Sequence, residues 1–157
     1  MTAGPTCPDC GRQMVSWGVR CLTCGQAQLI ADHRARSAAG RTTRRVAVFA
    51  SRHWRTDSTF QQRQLAALVD ALADDNTVDG HPPTLVAFGS APAERYVADL
   101  WEFCSWPIEQ RHPDQVMRVD VLTTIDAAVI VRRDPALMVA QLAQLELCRV
   151  SVARWHA

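Results

Sequence analysis

The sequence predicts an α/β chain, a five-stranded, mostly parallel, doubly wound sheet preceded by a small metal-binding appendage. Three observations carry this. Short continuous apolar runs such as VAVFAS (46 to 51) and DAAVIVR (126 to 132) alternate with segments of helical period, the pattern of parallel strands buried on both faces and joined by crossover helices. Four of the six cysteines form two CxxC pairs near the start of the chain, Cys7/Cys10 and Cys21/Cys24. Charge divides in the same way: residues 1 to 45 hold seven arginines against two acids, net +5, and the remainder ten arginines against fourteen acids, net −4.

In chain order, VAVFAS is the first strand, and TFQQRQLAALVDALAD repeats Leu65, Leu68, Val69 and Leu72 at helical spacing, with Asp57 or Ser58 as N-cap. A polar loop ends in Pro82 and Pro83 before a second strand, TLVAFGS (84 to 90). A helix begins near Pro92, a residue suited to a first helical turn, with Val97, Leu100, Trp101 and Cys104 on one face. IEQRH (108 to 112) is a short third strand leading into a helix that carries Met117, Val121 and Ile125. DAAVIVR is the fourth strand, PALMVAQLAQLELC (135 to 148) a helix, and RVSVARW (149 to 155) the fifth strand. Trp101, Trp106, Cys104 and Cys148 are expected in the core, and Trp54, just past the first strand, is a candidate for stacking on a base.

At 157 residues, 48% apolar and 21% charged, the chain is neither disordered nor collagen-like. No apolar run approaches the ~20 residues that span a bilayer, and MTAGPTCPDCGRQ lacks the pattern of an export signal. A soluble cytoplasmic protein is expected. All seventeen basic residues are arginine, which reads as the GC-rich coding of an actinobacterium or one of its phages more than as selection for guanidinium chemistry.

Each CxxC is followed by glycine, as CPDCG and CLTCG, and ten residues separate the pairs. A CxxC turn presents two thiolates on one side of a tight loop, and two such turns supply the four soft ligands of a tetrahedral zinc ion. Glycine after the second cysteine permits the left-handed conformation that closes the loop. Over residues 5 to 28 this resembles the zinc-ribbon family, with Cys7, Cys10, Cys21 and Cys24 as ligands and a short hairpin over RQMVSWGVR bending near Gly18. Disulfides, a redox CxxC and a rubredoxin-like iron site are the alternatives. A redox role calls for one CxxC opening a helix, rather than two matched pairs. The predicted domains are a ribbon over 1 to 30, a basic linker over 31 to 45 and the α/β part over 46 to 157. The linker's HRARSAAGRTTRR follows nucleic-acid phosphate or is a solvated hinge.

Doubly wound sheets bind ligands at the carboxyl ends of their strands. There the sequence delivers Ser51, Arg52, His53 and Arg55 after the first strand, and Gly89 and Ser90 after the second. Arg111, His112, Asp114 and Arg118 follow the third, Arg132, Arg133 and Asp134 the fourth, and Trp155 and His156 the fifth. Six of the ten arginines of this part thus fall at or just beyond strand ends, a pattern that favours a phosphate or another anion.

The order of these motifs is similar to the SLOG superfamily, the Rossmann-like domain of Smf/DprA and LOG type, and especially its short branch related to YspA. Ser51 and Arg52 match its Gly-Ser-Arg, with Ala50 for glycine; FGSAPAERYVADLW (88 to 101) matches its second motif through Gly89, Ser90 and Glu94; Arg118 matches the arginine of the third, with Val119 for asparagine. RRDPAL stands where the fourth is expected. The resemblance covers about residues 45 to 157 and implies binding of a nucleotide-type or other phosphorylated ligand by Ser51, Arg52, Gly89, Ser90, Glu94, Arg118 and Arg132. Hydrolytic members carry a PGGxGTxxE motif that nothing here resembles, so binding without catalysis is expected. The ribbon would dock a protein partner or nucleic acid. A DNA- or RNA-binding protein with a vestigial α/β scaffold, and a structural protein-interaction module, are the other readings.

Overall fold

A computed structural model describes residues 4–14 and 18–155 and divides the chain into two units, Met1–Ala39 and Gly40–Ala157. In the second unit the sheet is built from β1 (Arg45–Ala50), β2 (Thr84–Ala87), β3 (Ile108–Gln110), β4 (Ala127–Val131) and β5 (Ser151–Trp155). All neighbours pair in parallel, in the order β3-β2-β1-β4-β5. The order reverses on either side of β1, so the connections leave in opposite directions there and open a crevice between the carboxyl ends of β1 and β4.

The register explains the apolar runs. Val46, Val48 and Ala50 point to one face, where they meet Leu65, Leu68 and Val69 of α2 (Thr59–Asn76) and Val97 and Trp101 of α3 (Pro92–Phe103). Ala47 and Phe49 point to the other, where they meet Val121 and Leu122 of α4 (Val119–Leu122) and Leu145 of α5 (Val139–Leu147). A strand between two helical layers has no wet face, which removes the alternation expected of a half-exposed strand. Ser58 caps α2, its hydroxyl accepting from Gln61 N at 3.2 Å. Trp101 is fully buried, meets Trp106 edge-to-face at 5.0 Å, and donates from Nε1 to Pro107 O at 3.0 Å.

Four expectations give way. The helix after β3 is a 3-10 turn over Pro113–Gln115 followed by the single turn of α4, because Thr123 and Thr124 turn their hydroxyls back onto the carbonyls of Asp120 and Val121 and end it; Ile125 lies beyond. α5 starts at Val139 rather than Pro135, preceded by Met138 in the left-handed region at φ 62°. Trp54 is 1% exposed and packs in the α2/α3 layer, where no base could stack on it. Cys104 caps the end of α3 and is exposed, whereas Cys148 is buried as expected.

In the first unit, α1 runs over Leu22–Ala38. It takes in residues 31 to 38 of the segment expected as linker, and Arg45 at the other end belongs to β1. No helix among the described residues is long and apolar enough to cross a membrane.

Candidate functional site

Cys7 and Cys10 lie on a tight turn closed by Gly11 N donating to Cys7 O at 2.9 Å and flanked by a bridge between Thr6 and Gln13. Gly11 takes φ +71°, the left-handed conformation the sequence calls for. The second pair is built differently. Cys21 is the N-cap of α1, Cys24 lies in its first turn, and Gly25 is helical, with Gly25 N donating to Cys21 O at 2.9 Å. The module therefore combines one hairpin turn with one helix N-terminus, in place of two matched knuckles. Residues 15 to 17 of the expected hairpin lie outside the described residues.

The four sulfurs lie within 4.8 Å of one another, close enough to share one metal ion. Their mutual contacts split their acidities. The Cys7 thiol is drawn down to about 6, first by the backbone N–H of Cys21, whereas Cys24 is pushed up to about 12, first by its contact with the Cys21 thiol and then by Cys10. Four thiolates so close together need a cation among them, and the positive end of α1 adds to their stabilisation. With all four ligands supplied by the chain, such a centre keeps no open coordination position.

The second site is a cleft of about 340 Å³ in the second unit, at the reversal point of the strand order. The end of β1 contributes Ser51, Arg52 and His53; the β2–α3 connection Ser90, Ala91 and Glu94; the segment before α4 Val116 and Met117; and the entry to α5 Leu137, Met138 and Gln141. Four of the predicted residues thus meet here, namely Ser51, Arg52, Ser90 and Glu94. Ser51 is buried, its N–H donating to Val131 O at 3.0 Å and its hydroxyl accepting from His53 N at 3.3 Å. Glu94 is 5% exposed. Its Oε1 accepts from Ala50 N at 3.0 Å, and its Oε2 from Ser90 N at 2.8 Å and Ser90 Oγ at 2.6 Å. Gly89 does not line the cleft; it makes the turn before α3 with φ +65°, and its carbonyl accepts from Arg95 at 2.9 Å.

The arginines are not gathered at one rim. Arg52 alone lines the cleft and, among the described residues, it forms no ion pair. Arg118 grips Asp120 with two hydrogen bonds, 3.0 and 2.7 Å, and is half-exposed. Arg132 is buried, and its Nη1 donates to Pro135 O and Leu137 O, carbonyls left without helical partners by the late start of α5. Arg111 pairs with Glu109 at 2.6 Å, and Arg55 with Asp57 at 2.7 Å. Arg133 and Arg55 line a separate, shallower depression with Trp54 and Phe60. His112 is exposed beside Asp114, and His156 lies outside the described residues.

The basic segment is divided too. Arg41 clamps Asp126 through both oxygens at 3.1 and 3.2 Å, and Arg45 pairs with Glu109 at 2.6 Å. The first unit keeps four arginines against two acids, and a divalent ion held by four thiolates would cancel that excess.

Sequence reasoning missed Val116, Met117, Leu137, Met138 and Gln141 as cleft residues. Apolar side chains after strand ends read equally well as core, and Met117 and Met138 indeed also pack against the α4/α5 layer. Comparison of the chain with protein-family models, with curated proteins and with solved structures found no match.

Proposed function

We propose that the α/β unit binds a nucleotide-type or other small phosphorylated ligand without turning it over, and that the four-cysteine unit holds structural zinc and serves as a docking piece for a partner. The observation that carries the ligand reading is the cleft itself: about 340 Å³, sited at the reversal of strand order, with an apolar wall that includes two methionines and a guanidinium, Arg52, that forms no ion pair among the described residues. Its volume is at the lower end for small-molecule sites and suits one mononucleotide-sized guest. The resemblance to SLOG domains points to the same ligand class. Binding without turnover is supported by Glu94, the one acid in the cleft lining, whose two oxygens both hold protein donors already.

Four sulfurs suit zinc or iron alike; zinc is favoured by the ten-residue separation of the pairs, closer than rubredoxin-like knuckles usually lie. Nucleic-acid binding is a weaker reading, because Arg41 and Arg45 are engaged within the second unit and the first carries little net charge once metallated.

Thermal unfolding of the full chain against nucleoside mono-, di- and triphosphates and sugar phosphates tests the ligand reading. A ligand at a hundredfold excess over its Kd adds ~2.7 kcal/mol, a rise of several degrees in Tm. No response across that panel overturns it. Elemental analysis of the purified chain tests the metal: one zinc per chain is expected, and iron or no metal contradicts the assignment.

A further inference from the structure

In doubly wound sheets the first turn of the helix after a strand draws phosphate, because its free N–H groups and positive dipole end face the crevice. Here α3 carries an acid of its own at that end. Glu94, in the first turn of α3, takes the N–H of Ser90 and the N–H of Ala50 at the end of β1, and its carboxylate is held further by the Ser90 hydroxyl at 2.6 Å. The chain's own acid thus stands where a ligand phosphate would otherwise lie, 5% exposed and lining the cleft.

A second anion beside that fixed charge would be repelled in surroundings of low dielectric. Glu94 Oε1 accepts one hydrogen bond among the described residues, so a carboxylate oxygen retains capacity for one more donor. The lining also holds the exposed Arg52 and His53, both able to donate to an anion. Met117 and Met138 add polarizable surface to the lining.

From this arrangement we infer, resting on the ligand reading above, that the cleft holds its ligand with the phosphate on Arg52 and His53 and a hydroxyl-bearing end on Glu94. The fixed carboxylate of Glu94 disfavours an anion at the α3 side of the cleft. Glu94 is then a specificity residue that orients the guest by excluding charge.

Calorimetric titration of the full chain with two probes, adenosine and adenosine monophosphate, tests the orientation. Arg52→Ala is expected to weaken the monophosphate about tenfold, as for loss of one charge-assisted contact, and to leave adenosine unchanged. Glu94→Gln is expected to weaken adenosine, which loses a charge-assisted acceptor, and the monophosphate less, because for it the loss is partly offset by removal of the repelling charge. If Arg52→Ala leaves the monophosphate unaffected, or Glu94→Gln tightens it, the phosphate lies at α3 and the inference is overturned while the ligand reading stands. If neither probe binds but other members of the thermal panel do, the inference is likewise overturned. Arg52 is exposed and its replacement leaves the fold intact, so its arm decides the matter even if the Glu94 variant does not fold.

Discussion

The two units of this chain reach order by opposite routes. The second buries apolar side chains on both faces of a five-stranded sheet, with Trp101, Leu65, Leu122 and Ile130 all fully enclosed. The first has Cys7 and Ile30 as its only buried apolar residues among those described, and Val19 and Leu22 are almost wholly exposed. For a unit so small, with so little apolar burial, the proposal is that metal binding supplies the folding free energy. On that proposal one fold is held by solvent exclusion over many residues, the other by four sulfurs around a point.

The largest effect that would break this comparison is removal of the metal. Chelation, or Cys7→Ser, is expected to abolish the structure of residues 4 to 39 altogether while the sheet persists. Limited proteolysis read by mass spectrometry should show cleavage confined to that unit. Protection unchanged by chelation would mean that packing, not metal, holds it. The converse experiment attacks the core. Trp101→Ala is expected to cost the second unit about 3–5 kcal/mol in urea unfolding, from lost packing against Trp106 and a large void, with metal content unchanged.

A smaller effect sharpens the electrostatic side of the comparison. Glu109 is held below its ordinary 4.5, first by its hydrogen bond to Arg45 and then by attraction to Arg45 and Arg111. A carboxyl depressed in the folded state contributes stability above the unfolded value, and loses it as pH falls below about 4.5 toward the folded one. Glu109→Gln should therefore lower stability at pH 7 and flatten the acid limb of a plot of unfolding free energy against pH. An unchanged slope would show that the Arg45–Glu109–Arg111 cluster on the short edge strand contributes nothing. The smallest effect is that of Arg118→Ala. Its pair with Asp120 is exposed and solvent-screened, so neither Tm nor ligand affinity should move measurably. A loss of affinity would return Arg118 to the binding site.

The same contrast explains what could be read from the residues. All five strands were legible to within a few residues, because continuous apolar runs between helical periods have few other uses. Ser58 as a cap and Gly11 as a left-handed turn were legible for equally local reasons. α1 was not foreseen, although LTCGQAQLIADHRARSA contains no proline and a single β-branched pair, Thr23 and Ile30, among strong helix formers; the paired cysteines drew attention to a symmetric ribbon instead. The arginines failed for a different reason. Their position after strand ends was correct, but a sequence does not say which carboxylate or carbonyl a guanidinium will reach. Arg132 serves carbonyls exposed only because α5 begins late, and Arg41 finds Asp126 across 85 residues of chain. Glu94 lines the cleft as expected and also binds the chain's own amides, which is visible only once β1 and α3 are side by side.

A crystal structure of the full chain grown with excess adenosine monophosphate tests the central claim most directly. Density is expected for one molecule in the cleft between the ends of β1 and β4, its phosphate against Arg52 and Glu94 still bound to Ser90 and Ala50. A ligand bound elsewhere on the sheet, or with its phosphate on Ser90 and Glu94 displaced, would contradict it.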